Sequence, residues 1–321
     1  MTVHMSPDMA LRRNKLQRWR LSLFGLSVLI GGILVFESSR FYWHQQLYQT
    51  VKQRWSNPAA ERRGLWLPGF SPDVVAKPLA GVLDDLSGIT YDYDQDRLLV
   101  ITNGEGAQIV ALNTSGNVLA RYPLAGFVDT EGLAYLGGGR VVVTEEIDQR
   151  LSFIQLPEMP QTIHREADQF ISIGINNNTK NKGFEGVTYD PIGDRLFVIK
   201  ERDPRQLYEI GGVVRSLKGR LSTEIIDRTS WVDDGVFARD LADVYYHPTT
   251  GHLILLSEQS KLLIELDSDG RYISYRSLLE GFKDVFTPKV HPEGVTMDAH
   301  GRLYVVAEPN LFYSFSPQPP K

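Results

Sequence analysis

A short motif returns five times along this chain, and a chain built from such repeats closes on itself or stacks. The copies are Leu86-Ser87-Gly88-Ile89-Thr90-Tyr91, Thr130-Glu131-Gly132-Leu133-Ala134-Tyr135, Phe184-Glu185-Gly186-Val187-Thr188-Tyr189, Leu241-Ala242-Asp243-Val244-Tyr245-Tyr246 and Pro292-Glu293-Gly294-Val295-Thr296-Met297. A turn, an apolar run and a polar residue, usually Glu, follow each copy. A period of roughly 45–55 residues filled with short strands predicts an all-β, five-bladed β-propeller. The blades fall at about 84–124, 128–173, 182–226, 239–278 and 291–316. The last contains only three strands. Asp73–Leu79 belongs to no other copy, and placed outside Leu311–Phe315 it would close the ring and remove an open sheet edge. A six-bladed alternative hides an irregular blade in 212–238. Two insertions, about 156–168 and 227–238, read as loops that cover a face of the propeller.

The 321 residues carry a net charge of −5 and no cysteine, so disulfides and thiolate metal sites are excluded. The repeat region holds no basic block, which argues against a nucleic-acid partner. The N-terminus differs. Arg12, Arg13, Lys15, Arg18 and Arg20 precede Leu21–Phe36, a sixteen-residue uncharged run flanked by aromatic residues. At ~1.5 Å per residue this run is slightly short of a ~30 Å hydrocarbon core, a gap that aromatic and snorkelling Arg side chains can bridge. Positive charge on the N-terminal side places 1–20 in the cytoplasm and the rest outside, by the positive-inside rule. The expected organisation is a basic segment (1–20), a single-pass signal-anchor (21–43), a stalk (44–72), the propeller (73–317) and a short tail (318–321). A cleaved signal peptide is the rival reading, although no A-x-A-like site is visible. Either reading exports the propeller, to the periplasm or the cell exterior, and makes the inner membrane a partner.

Candidate chemistry lies where the repeats converge. Each inner strand starts at the motif, runs about five residues, turns and comes back as the second strand. The second strands end at Asn103, Glu145, Glu201, Glu258 and Glu308. These lie 15, 13, 15, 15 and 14 residues after Gly88, Gly132, Gly186, Asp243 and Gly294. Equal travel out and back puts Glu131, Glu185, Asp243 and Glu293 at one mouth of the axial channel, with Glu145, Glu201, Glu258 and Glu308 as a second set nearby. Crowded carboxylates repel and their pKa values rise unless a cation joins them. Calcium, which takes six to eight oxygens in irregular geometry, suits this donor set better than zinc or copper. The alternative keeps these residues structural, with each Glu accepting hydrogen bonds from the next blade and each Gly allowing tight axial packing. His247 and His252 flank a turn at the far end. His291 is the one histidine placed to act as a base at the acidic mouth. Tyr91, Tyr135, Tyr189, Tyr245 and Phe197 read as inter-blade core and not as a ligand cage.

Four strings carry a resemblance: LSGITYDYDQDRLLVITN (86–103), NKGFEGVTYDPIGDRLFVIKERDP (181–204), TGHLILLSEQSKLLIELDSDG (250–270) and PEGVTMDAHGRLYVVAEPNLFYSF (292–315). In this order, over about 74–316, the chain resembles the SdiA-regulated domain family. The resemblance implies a five-bladed, NHL-like propeller, often behind a membrane anchor, with an associated calcium ion and no established reaction. Two functions follow as expectations. One is a membrane-tethered, calcium-binding module for a protein or small-molecule ligand. The other is a calcium-dependent hydrolase of an ester, lactone or phosphate at the axis. No G-x-S-x-G elbow, P-loop or H-E-x-x-H motif is present, which favours the first.

Overall fold

In the computed structural model, residues 25–32, 42–55, 64–165, 169–173, 183–279 and 290–318 are described. Each repeat folds into an antiparallel sheet of its own, and five such sheets are arranged as blades. The second strand of each blade is its most apolar. Arg97–Thr102 and His252–Ser257, for example, are almost wholly buried on both faces. A strand between two neighbouring blades has no solvent face, so its apolar residues run continuously instead of alternating. Pleating sends successive side chains to opposite neighbours. Leu98 and Val100 pack with Tyr304 and Val306 of blade five, whereas Leu99 and Ile101 pack with Val141 and Val143 of blade two. Five clusters of this kind fill the five blade interfaces, which is what a closed ring requires.

Closure comes from the N-terminal side. Phe70–Pro78 pairs antiparallel with Leu311–Pro317, from Phe70 opposite Pro317 to Pro78 opposite Leu311. The closing strand thus starts three residues before the expected Asp73 and carries two register shifts, at Pro72/Val74 and Val74/Lys77. Residues 212–238 form no sixth blade. They supply the outer strand of blade three, Glu224–Asp227, between two short helices, Val213–Leu217 and Thr229–Gly235. Val232 of the second helix is fully buried, and Trp231 packs with it against the core between blades three and four. A Cβ on Gly270 would lie 2.1 Å from the Trp231 indole, which accounts for the glycine in that hairpin.

The two insertions do not cover a face. Within 156–168, Ile163–His164 pairs parallel with Leu124–Ala125 and adds a fifth strand to blade one. Residues 227–238 contribute the Thr229–Gly235 helix. Both satisfy or shield outer edges that would otherwise expose unpaired N–H and C=O groups.

The segment read as a stalk is held against the propeller. Helix Trp43–Arg54 lies on blade four. Gln46 donates to the Ser260 carbonyl (2.7 Å), Lys52 to the Gly235 carbonyl (3.1 Å), and Thr50 meets the Tyr275 hydroxyl (2.7 Å). The expected anchor is described only over 25–32, which is helical with Leu26, Val28, Leu29 and Ile30 exposed; the rest of 21–43, up to residue 41, lies outside the described residues. Among the described residues, no helix is long and apolar enough to cross a membrane.

Inner strands meet backbone to backbone at the axis. A Cβ on Gly132 would sit 2.5 Å from the Glu185 carbonyl oxygen and 2.9 Å from the Gly186 Cα. Backbone atoms on a closed ring cannot step aside, so Gly132→Ala is expected to cost about 1–3 kcal/mol. Gly219→Ala, where a Cβ meets nothing within 4 Å, should be nearly neutral. Urea melts of the two variants check this; equal midpoints would show that the axis relaxes freely.

Candidate metal centre

The glycine ring brings the residue before it to the axis. Gly88, Gly132, Gly186 and Gly294 each approach the next blade so closely that a Cβ would come within 3 Å of its atoms. The preceding residues Glu131, Glu185 and Glu293 therefore converge. Glu185 feels the charges of Glu131, Glu146, Glu201 and Glu293, and Glu293 feels those of Glu258, Glu308 and Glu131. Blades one and four place Ser87 and Ala242 at the same position, so the ring is acidic on three of five blades.

Strand register selects the second set. Leu86 pairs with Thr102, Thr130 with Glu145 and Phe184 with Lys200. The residue just past each pair, Asn103, Glu146 or Glu201, sits by the axial acids. The sequence reading chose Glu145, one residue early. Glu145 is fully buried away from the axis. It accepts from the Val128 N–H (3.0 Å) and Ser152 Oγ, and pairs with Arg165 (3.0 Å) and Arg150 (3.4 Å). Glu146 lies 14 residues after Gly132, the same offset as Glu308 from Gly294, and that was the available signal.

Asp243 does not join the acids either. It occupies the glycine position of blade four, where Oδ1 accepts from its own Val244 N–H (2.8 Å) and Oδ2 from Val295 N–H of blade five (2.8 Å). A Cβ on Gly186 would lie 2.3 Å from Asp243 Oδ1, so the missing side chain in blade three makes room for this staple. Burial pushes the Asp243 carboxyl well above the usual range.

Three groups have ligand atoms within 4.8 Å of one another: Asp129, Glu131 and Glu146; Glu146, Glu185 and Glu201; and Glu258, His291 and Glu293. Glu146 belongs to the first two, making one arc of five carboxylates across blades two and three. Among the described residues, Glu308 is in none of the groups; it feels the charges of His291, Asp85, Asp84 and Glu258. Asp129 is the member of the arc that no repeat spacing points to. Asp129 keeps a positive φ of 54° and has a buried Oδ2 with no hydrogen-bond partner. Asn103 is the blade-one counterpart of the second-set acids. Its amide donates to Asp129 Oδ1 (2.9 Å) and Glu131 Oε1 (2.7 Å), clasping the two.

Electrostatics of the arc are unfavourable without a cation. Burial, then the neighbouring Asp129 and Glu146, push Glu131 up to about 8. Burial is also the first cause for Glu146 and Glu201, each raised to about 7, with Arg202 at 2.6 Å partly offsetting the latter. Glu185 and Glu293 lie well above the carboxylate range through burial and then the surrounding acids. The arc offers only carboxylate oxygens, the donors that a hard divalent cation takes. The third group, outside the arc, adds an imidazole: His291 Nδ1 lies 2.6 Å from Glu258 Oε1, which also meets Lys261 Nζ at 2.8 Å.

The far mouth of the channel is different. Tyr135 belongs to the inter-blade core and Tyr91, Tyr189 and Tyr245 pack against it, as the sequence suggests, and all four also line a cavity of ≈ 610 Å³ there. Phe197 is 2% exposed, packs in the core between blades three and four and does not line this cavity. Each ring sits near the end of its inner strand, with one side against a blade interface and the other on the channel.

Residues 62–316 match the model of the family described as SdiA-regulated. Among solved structures, the chain is similar to one from the crystal structure of a nidogen/laminin complex, at 14% identity and a TM-score of 0.44, over 70% of this chain and 73% of that one. It is also similar to a luciferin-regenerating enzyme, at 14% identity and a TM-score of 0.48, over 78% and 81%. A protein of unknown function from Bacteroides caccae is similar at 13% identity and a TM-score of 0.36, over 66% and 65%.

Proposed function

The chain belongs to the SdiA-regulated family, and we propose that it is a membrane-tethered propeller that binds calcium at its acidic mouth and presents that face to a protein or small-molecule ligand. The carrying observation is the arc Asp129, Glu131, Glu146, Glu185 and Glu201, held together by strand register and sharing Glu146 between its two groups. Buried acids without counter-charge are costly, and a divalent cation relieves the cost where stray protons otherwise must. Calcium suits five irregularly placed carboxylates better than magnesium, which demands a strict octahedron. The unpaired Asp129 Oδ2 supports the same reading. Isothermal titration of the chelator-stripped full chain in detergent tests it: calcium should bind with magnesium much weaker. Absence of calcium heat up to millimolar concentration ends the proposal.

Tethering rests on the uncharged run Leu21–Phe36 behind five basic residues and on the exposed Leu26, Val28, Leu29 and Ile30. The docked helix Trp43–Arg54 would then hold the propeller close to the inner membrane instead of on a long stalk. A fluorescent reporter that matures only in the cytoplasm, fused after Lys321, is expected to be dark; a bright fusion overturns the orientation.

One observation favours a second reading, hydrolysis. The half-exposed His291, oriented by Glu258 and beside Glu293, is arranged as a general base, able to take a proton from water at the acidic mouth. On this reading His291→Gln abolishes turnover of simple esters, lactones or phosphate esters while leaving calcium affinity intact. A parent protein that turns over none of these leaves the binding function alone.

A further inference from the structure

The far cavity has the chemistry of a ligand site separate from the acidic mouth. Along an inner strand, Glu185 and Tyr189 are four residues apart, about 13 Å at ~3.3 Å per residue. The cavity is ≈ 610 Å³, within the range of small-molecule sites. Tyr91, Tyr93, Tyr135, Tyr189, Tyr245 and Tyr246 line it, drawn from four of the five blades.

Three of these rings are anchored by ionisable partners in the turns. Tyr91 donates to Asp96 Oδ1 (2.7 Å), Tyr135 to Asp94 Oδ2 (2.5 Å) and Tyr189 to Asp194 Oδ1 (3.1 Å). Tyr93 stands edge-on to Tyr135 with centroids 4.9 Å apart. The rings are thus preorganised, and a phenol that donates to a carboxylate gains electron density. Asp298 is the acidic residue of the lining, and no Lys or Arg lines the cavity among the described residues. Its carboxylate already accepts from the His300 and Arg302 N–H groups and from the Tyr304 hydroxyl.

This distribution decides between ligand classes. An anion meets the tyrosine rings and the Asp298 carboxylate, and the lining side-chain nitrogens it could pair with are the imidazoles of His300 and of His247, which burial disposes against carrying a proton. A sugar needs many hydrogen bonds, yet the Tyr91, Tyr135 and Tyr189 hydroxyl protons are committed, and Thr90 and Thr188 Oγ1 already accept from the Tyr135 and Tyr246 N–H groups. A soft organic cation gains from the aromatic lining and from Asp94 and Asp96 of the blade-one turn at once, whereas Asp194 is already paired with Arg215 (3.1 Å). We propose that the tyrosine-lined mouth binds an organic cation, a quaternary ammonium or protonated amine, independently of any ion at the acidic mouth.

The probe is choline, compared with 3,3-dimethylbutan-1-ol, its neutral isostere with carbon in place of nitrogen. Titrated into the full chain in detergent, choline should bind about tenfold or more tighter than the isostere. Tyr189→Leu should weaken choline about fivefold or more, and Tyr189→Phe should retain most of the affinity. Should Tyr189→Leu fail to fold, Tyr93→Leu, at a position 45% exposed, takes its place. Glu185→Gln should leave choline affinity unchanged, separating this site from the acidic arc. Equal affinity for choline and its isostere, absence of choline binding up to tens of millimolar, or full binding in the Leu variant would overturn the proposal.

Discussion

Calcium added to the chelator-stripped protein raises its melting temperature, and Glu146→Gln removes most of that rise. A ligand specific to the folded state contributes RT ln(1 + [L]/Kd), about 2.7 kcal/mol at a hundredfold excess over Kd. For a domain of this size that corresponds to roughly 5–10 °C. Glu146 is the informative position because it belongs to both groups of the arc. Its Oε1 accepts from Gly183 N–H at 2.9 Å, a bond that the Gln amide oxygen preserves, so the substitution deletes charge more than structure. The metal-free variant should be as stable as the parent or more so, since repulsion from Asp129 and Glu185 is relieved. The adjacent Glu145→Gln should behave in the opposite way. It weakens the pairs with Arg165 and Arg150, costs about 1–3 kcal/mol, and leaves the calcium-induced shift at its parental size. Thermal melts of the three proteins with and without calcium distinguish these outcomes. An unchanged shift in Glu146→Gln removes the arc as the binding site.

Metal-free stability should fall as pH rises through neutrality. Glu131 is pushed up to about 8, and Glu146 and Glu201 to about 7, from 4.5. Between 4.5 and those values the folded state holds protons that the unfolded chain has released. The stabilisation is therefore complete near pH 4.5 and is lost as pH climbs through the folded values. One proton retained over two pH units is worth about 2.7 kcal/mol. His247 opposes the trend below the ordinary histidine value of 6.5, because burial lowers its affinity for a proton in the fold. Melts between pH 6.5 and 8.5 isolate the carboxylates. In chelator the melting temperature should drop by several degrees across this window. In saturating calcium the drop should shrink or reverse, because the ion displaces the protons and binds better as they leave. A metal-free melting temperature that is flat or rising from pH 6.5 to 8.5 contradicts the raised carboxylates.

Much of the architecture was written in local patterns. The five motif copies, continuous apolar second strands and turn glycines specify five blades without knowledge of their neighbours, because each depends on strand pairing within about forty residues. The closing strand was legible by elimination, since blade five lacked a partner and Asp73–Leu79 had none. Glu131, Glu185 and Glu293 were equally legible, because the residue before an axial glycine can only point to the axis.

Other features depend on register or on contacts between distant blades, which no local pattern contains. Glu145 and Glu146 are neighbours in the chain, yet one is spent on two arginines and the other faces the acids; a one-residue step at a strand end reverses the side chain's direction. Asp243 looks acidic in sequence but staples Val295, because blade four has an acid where the other blades have glycine. The 156–168 insertion reads as a loop until the edge of blade one offers it a ladder. The inner-strand tyrosines are core and channel wall together, and the wall became visible only when the closed ring brought four blades around one cavity. Local periodicity therefore determined the blades and the three axial glutamates. Tertiary closure decided which remaining polar groups share a space, since a group's neighbours there come from chain segments tens to hundreds of residues away.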